Sequence, residues 1–276
     1  MARFLGTQSD PETTAGRRTM SRALRVPQIT VFFWVIKGLS TALGESTSDY
    51  LVHAMAPVLA VALGFVGFAV AMALQFSRRR YVAWAYWLAV VMVGVFGTMA
   101  ADVLHVGFGV PYWSSSLLCA VGLVAIFYTW VKLEKTLSIH SIDSPRRELF
   151  YWATVVATFA LGTAVGDLVA LTLNLGYQVS AGLFAGAIAL VGIAFQRGWN
   201  PIAAFWAAYV MTRPLGASLA DWAGKPTAAG GLGLGAAPVA GALALLTAIL
   251  VAYLTLSHRD AQPGGPGGRA SSGIRS

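Results

Sequence analysis

At 276 residues the chain is long enough for one or two soluble domains, but 57% of its residues are apolar and only 11% charged, about half the charged share of a soluble protein. Uncharged runs at 57–76 and 182–195 approach or reach the roughly 20 residues a helix needs to cross hydrocarbon, which excludes a water-soluble fold. The net charge of +8 sits at the chain ends and in alternate loops rather than on a patch or stripe, which excludes a nucleic-acid-binding surface.

In chain order, residues 1–26 are polar and basic and read as a disordered cytoplasmic tail with no cleavable signal. Eight spans follow near 28–51, 57–76, 81–104, 114–131, 149–173, 179–195, 201–220 and 237–256, giving an all-α membrane domain over 27–257. Residues 258–276 form a second disordered tail, rich in Gly, Ser and Arg toward its end. The loops 77–80, 132–147 and 197–200 and both tails hold sixteen of the nineteen Lys and Arg residues; the other loops hold only Lys225, and Lys37 and Arg213 lie inside spans. This asymmetry predicts cytoplasmic termini. A single cysteine, Cys119, rules out an internal disulfide.

The spans repeat. Each odd-numbered span carries an aromatic–Trp pair, a glycine ten residues after the Trp and an aspartate fifteen after it. The four sets are Phe33-Trp34, Gly44 and Asp49; Tyr86-Trp87, Gly97 and Asp102; Tyr151-Trp152, Gly162 and Asp167; and Phe205-Trp206, Gly216 and Asp221. Two spans per repeat make the four motif helices run the same way, with repeats near 27–80, 81–135, 146–197 and 198–257. Fifteen residues of helix cover roughly 22 Å. With Trp34, Trp87, Trp152 and Trp206 at the cytoplasmic interface, every aspartate then sits toward the outer end. The intervening glycine permits a close helix approach or a break.

Positions seven, eleven and fifteen after the Trp share a helix face. They read Thr41/Glu45/Asp49, Gly94/Thr98/Asp102, Phe159/Thr163/Asp167 and Arg213/Ala217/Asp221. The predicted assembly points these stripes at one axis. Carboxylates inside a bilayer cost about 2.5–3.5 kcal/mol each, less near an interface, and are functional by default. The functional reading of Glu45, Asp49, Asp102, Asp167 and Asp221 is a pathway for a proton, a monovalent cation or a hard divalent metal ion. Lys37, Thr41, Thr98, Thr163 and Arg213 would support it, with Lys37 pairing with Glu45 and Arg213 with Asp221 or another repeat's aspartate. The opposing reading makes the same charges structural bridges between helices. His53 and His105, one turn beyond Asp49 and Asp102, are either outer metal ligands or polar residues at loop starts. An anion site at Lys37 and Arg213 fits poorly with five carboxylates against two bases, and no nucleophile with its base suggests an enzyme.

The segments 33–50, 162–168 and above all 212–226, TRPLGASLADWAGKP, resemble a bacterial family of uncharacterised membrane-anchored proteins. That family has four tandem two-helix transmembrane repeats, each with a characteristic tryptophan. The resemblance covers about residues 27–257. It implies eight spans and an inner-membrane location and supplies no activity. The expectation is a cation transporter or channel, or alternatively a membrane scaffold or sensor. Its partners would be the lipid bilayer and a small inorganic cation, with no cofactor beyond such an ion.

Overall fold

A computed structural model describes residues 24–260, and among these all regular structure is helical. The eight long helices are α1 (Val31–Ala54), α2 (Pro57–Ser77), α3 (Ala83–Asp102), α4 (Tyr112–Glu134), α5 (Pro145–Asp167), α6 (Gly176–Gln196), α7 (Pro201–Gly224) and α8 (Ala236–Ser257). Local chemistry sets their starts. Thr30 and Ser144 cap α1 and α5 by accepting from the Phe33 and Arg147 amides. Asn200 does the same for α7 from Ile202 and Ala203, and Pro opens α2, α5 and α7, where its missing N–H is harmless.

The motif helices α1, α3, α5 and α7 form a closed inner ring, each packed on the next and α7 on α1. The even-numbered helices lie outside it. Each packs chiefly on the motif helix that follows it in sequence, α2 on α3, α4 on α5 and α6 on α7, and α8 returns to α1. The most apolar windows of α3 and α5 are 50% buried, against 17–22% for α2, α4, α6 and α8. Outer helices therefore bury only a narrow stripe, such as Ala240, Thr247 and Leu254 on α8. Their other faces expose large apolar side chains, among them Val58, Leu118 and Leu190, which is a surface for lipid.

Six helices are long and apolar enough to cross a membrane, and the chain is a multi-pass membrane protein. The two others, α1 and α7, are as long but are less apolar, with Lys37, Glu45 and Asp49 on α1 and Arg213 and Asp221 on α7. Several boundaries differ from the expected spans: α1 begins and ends three residues later, and α7 runs four residues further, to Gly224. Beyond Asp102 and Asp167 the chain continues as single π-helical turns, Val103–Gly107 and Leu168–Thr172, a form enriched at functional sites.

Most of both expected tails lies outside the described residues, but residues 24–26 and 258–260 pack onto the bundle. Val26 is fully buried, Arg25 reaches Glu148 at 2.5 Å, and Gln75 donates to the other oxygen of that carboxylate at 2.9 Å. The Gln28 amide donates to the Asp260 carbonyl at 2.9 Å, and the Tyr81 hydroxyl donates to the Asp260 carboxylate. Burial raises the Asp260 carboxyl above its usual range, although the bond from Tyr81 opposes the shift.

Candidate functional site

The interior of the inner ring is stacked in layers from the Trp end to the Asp end. The first layer is aromatic. Phe33, Tyr86, Tyr151 and Phe205, each preceding a motif Trp, are buried together with Trp87, Trp152 and Trp206, mostly in tilted or edge-to-face pairs. The Tyr86 and Tyr151 hydroxyls bond to each other, and Trp206 donates to the Leu137 carbonyl at 3.0 Å. Trp34 alone of the four is only partly buried. Three motif tryptophans are thus core residues, because the ring of helices brings their equivalent positions together.

Lys37 comes next, 1% exposed. The expected pair with Glu45 does not form. Its Nζ lies 4.1 Å from the centre of the Phe159 ring and 4.3 Å from that of Tyr209, with no hydrogen-bond acceptor among the described residues. Eight residues along one helix separate Lys37 and Glu45 by roughly 12 Å of rise, and the π-faces are nearer.

Glu45 is claimed instead by Arg213 of α7, at 2.6 Å. The same Nη2 donates to Thr98 of α3 at 2.5 Å and Thr163 of α5 at 2.8 Å. All three acceptors stand eleven residues after their Trp, and Ala217, the fourth member of that layer, is small and buried. One guanidinium therefore ties all four inner helices. Thr98 also donates to Glu45 at 3.2 Å. Thr41 is not in this knot; it donates to the Gly38 and Thr212 carbonyls, stitching α1 to α7.

Arg213 fits because Gly162 faces it: a Cβ there would come within 2.5 Å of Arg213 Cγ. Gly44 and Gly216 do related work, whereas a Cβ on Gly97 would meet nothing nearer than 3.6 Å. A Cβ on Gly44 would lie 2.8 Å from the Gly94 backbone, and one on Gly216 2.0 Å from Thr41 Oγ1. Of the two expected roles, close approach is the one realised; the helices run unbroken through these positions.

The four aspartates end the stack. Asp49, Asp167 and Asp221 each feel the charge of Glu45, as does Asp102, and Asp102 also feels Asp49, Asp167 feels Asp102, and Asp221 feels Asp49 and Asp167. Arg213 serves none of them as an ion-pair partner. Lys225, just past α7, does: its Nζ is 2.6 Å from Asp49 Oδ2 and 3.7 Å from Asp221 Oδ1. Burial alone would lower the Lys225 ammonium, but Asp221 and Asp49 outweigh it and hold it above the usual lysine range. Asp102 and Asp167 are half-buried and have no ion pair or side-chain hydrogen bond among the described residues.

The histidines are locally bonded. His53 is exposed, with Nδ1 2.6 Å from the Asp49 carbonyl. His105 bridges the Val110 carbonyl at 2.7 Å and Ser115 at 3.2 Å, its ring tilted against that of Tyr112. Among the described residues no three His, Cys, Asp or Glu side chains gather as ligands for one metal ion. Sequence reasoning left Lys225 in an outer loop, although its spacing of four from Asp221 was a visible sign of a pair.

No curated protein and no solved structure matches the chain. A family model described as Repeat of Unknown Function (DUF347) matches it four times, over residues 32–81, 85–136, 150–197 and 204–260. Each match begins within two residues of a motif Trp, so the repeat read from the Trp–Gly–Asp spacing is the family's own unit, and the chain belongs to that family.

Proposed function

We propose that the chain spans a bacterial inner membrane eight times, with both termini in the cytoplasm, and carries a small cation by way of the carboxylates at the Asp end of its inner ring. Asp102 and Asp167 carry this reading. From the Lys37 layer to the Asp end, the inner ring and its Lys225 cap hold five carboxylates and three Lys or Arg side chains. Glu45 is matched by Arg213, Asp49 and Asp221 share Lys225, and Lys37 lies on aromatic faces. Two half-buried aspartates on neighbouring helices are left without a base among the described residues. A charge in hydrocarbon without a structural partner is retained for what it binds. The π-helical turns that follow these two aspartates and neither of the others fit the same reading. The basic residues, sixteen on one side against one on the other, support the orientation.

The scaffold reading has its own observation, the Arg213 knot, which is a structural tie whatever the aspartates do. Reconstitution separates the two. Purified protein in proteoliposomes is assayed for flux of protons, potassium, sodium, magnesium and manganese, beside Asp102→Asn and Asp167→Asn. These variants strand no base, so both are expected to fold, and each to lose at least about tenfold in rate, on the order of 1.4 kcal/mol. Full flux in both variants, or none in the wild type for any ion, would leave the scaffold reading in place.

A further inference from the structure

The loop from α7 to α8 is built around Lys225. The Lys225 carbonyl accepts from the Gly233 amide at 2.9 Å, and the Leu234 and Gly235 amides donate to the Ala223 and Gly224 carbonyls. A Cβ on Gly231 would lie 2.0 Å from the Lys225 carbonyl oxygen, so the loop comes this close only with glycine there. The ammonium is thereby held at the seam between α1 and α7. It bonds Asp49 at 2.6 Å but stands 3.7 Å from Asp221 Oδ1. That oxygen is buried, on a side chain 6% exposed, and no donor among the described residues reaches it. Two carboxylates thus share one ammonium that satisfies only the first. Lys225, 30% exposed, keeps a route to water.

We propose that Lys225 is a tethered occupant of a monovalent-cation site formed by Asp49 and Asp221, displaced when potassium or a small alkylammonium ion enters. The proposal deepens the cation reading above and rests on it. Exchange of one ammonium for one monovalent cation leaves the charge of the site unchanged. The flexible four-carbon stem of lysine can swing aside, whereas the rigid fork of arginine would stay bound to the carboxylates.

Chemical rescue tests this on the full chain in detergent micelles. Lys225→Ala is expected to melt below the wild type and to recover with methylammonium chloride, but not with N-methylglucamine chloride at equal ionic strength. Wild-type protein and Lys225→Arg are expected to show no such recovery. A Lys225→Ala protein that responds no more than the wild type overturns the proposal. Should that variant fail to accumulate, the wild type decides: saturating potassium is expected to accelerate acylation of Lys225 by an amine-reactive probe about tenfold, a usual size for coupling between ligands. An unchanged rate overturns the proposal. Neither readout involves flux. Rescue without conduction would retire transport and keep the site; conduction without rescue would retire the site alone.

Discussion

Removing Arg213 tests the central knot. The guanidinium is fully buried and Glu45 nearly so, at 0% and 7% side-chain exposure. Arg213→Met therefore leaves a carboxylate in the bundle with only the Thr98 hydroxyl to serve it. Breaking one side of a buried pair costs about 3–5 kcal/mol. The freed Thr163 hydroxyl keeps its bond to the Phe159 carbonyl, and the single proton of Thr98 is shared between Glu45 and the Gly94 carbonyl, so the hydroxyls add little. Glu45→Gln strands the cation instead and should cost a similar amount, because the Nε and Nη1 atoms of Arg213 already lack acceptors. The double variant removes both charges and should cost no more than either single variant, which makes the coupling energy at least about 3 kcal/mol. At a few degrees per kcal/mol, each single variant should melt on the order of 10 °C lower. The assay is a double-mutant cycle by thermal unfolding in one detergent. Single variants each costing less than about 1 kcal/mol, or strictly additive losses, would show that the guanidinium does not hold the ring together.

The motif glycines give a contrast at equivalent positions. Gly44→Ala drives a methyl group into the Gly94 backbone and should cost about 1–3 kcal/mol. For Gly97→Ala the nearest atom is 3.6 Å away, so gained helix propensity, up to about 1 kcal/mol, should leave stability level or higher; equal losses from both would refute the steric account. For Lys225 the folded-state ammonium titrates above its unfolded value. Its stabilisation is therefore complete below the unfolded value and lost only as pH rises through the folded one. The melting difference between wild type and Lys225→Ala should stay level from about pH 7 to 10 and shrink only beyond the usual lysine value near 10.4; a steady decline from pH 7 would contradict the bridge.

The parts legible in the sequence are those that a one-dimensional spacing determines. Apolar runs placed the helices, and the Trp–Gly–Asp interval brought Asp49, Asp102, Asp167 and Asp221 to one end, because equal helical intervals in parallel helices end at equal heights. What the interval leaves open is which helix neighbours which and how far a side chain reaches. Arg213 stands at the level of Thr41, Gly94 and Phe159 by count, yet its length carries its charge one turn on, to Glu45, Thr98 and Thr163. Lys37 and Glu45 share a helix and both are buried, but the rise between them exceeds an ion pair, and Phe159 arrives from α5 to take the ammonium. Lys225 needed the adjacency of α1 and α7 before Asp49 could be seen as its partner.

The offset between repeat and packing unit bears on how the molecule is made. Since each outer helix leans on the motif helix after it and α8 leans on α1, the compact pairs in space are α2–α3, α4–α5, α6–α7 and α8–α1. Among the eight helices α1 is made before the others yet receives its cover last, and the lysine and glutamate it carries wait for α5 and α7. Residues 28 and 260 are joined by a backbone hydrogen bond, so the two ends of the bundle already meet. A circularly permuted chain beginning at α2 and ending with α1 would keep every contact while making each pair contiguous, turning a fold that closes only at its final helix into one that assembles pair by pair.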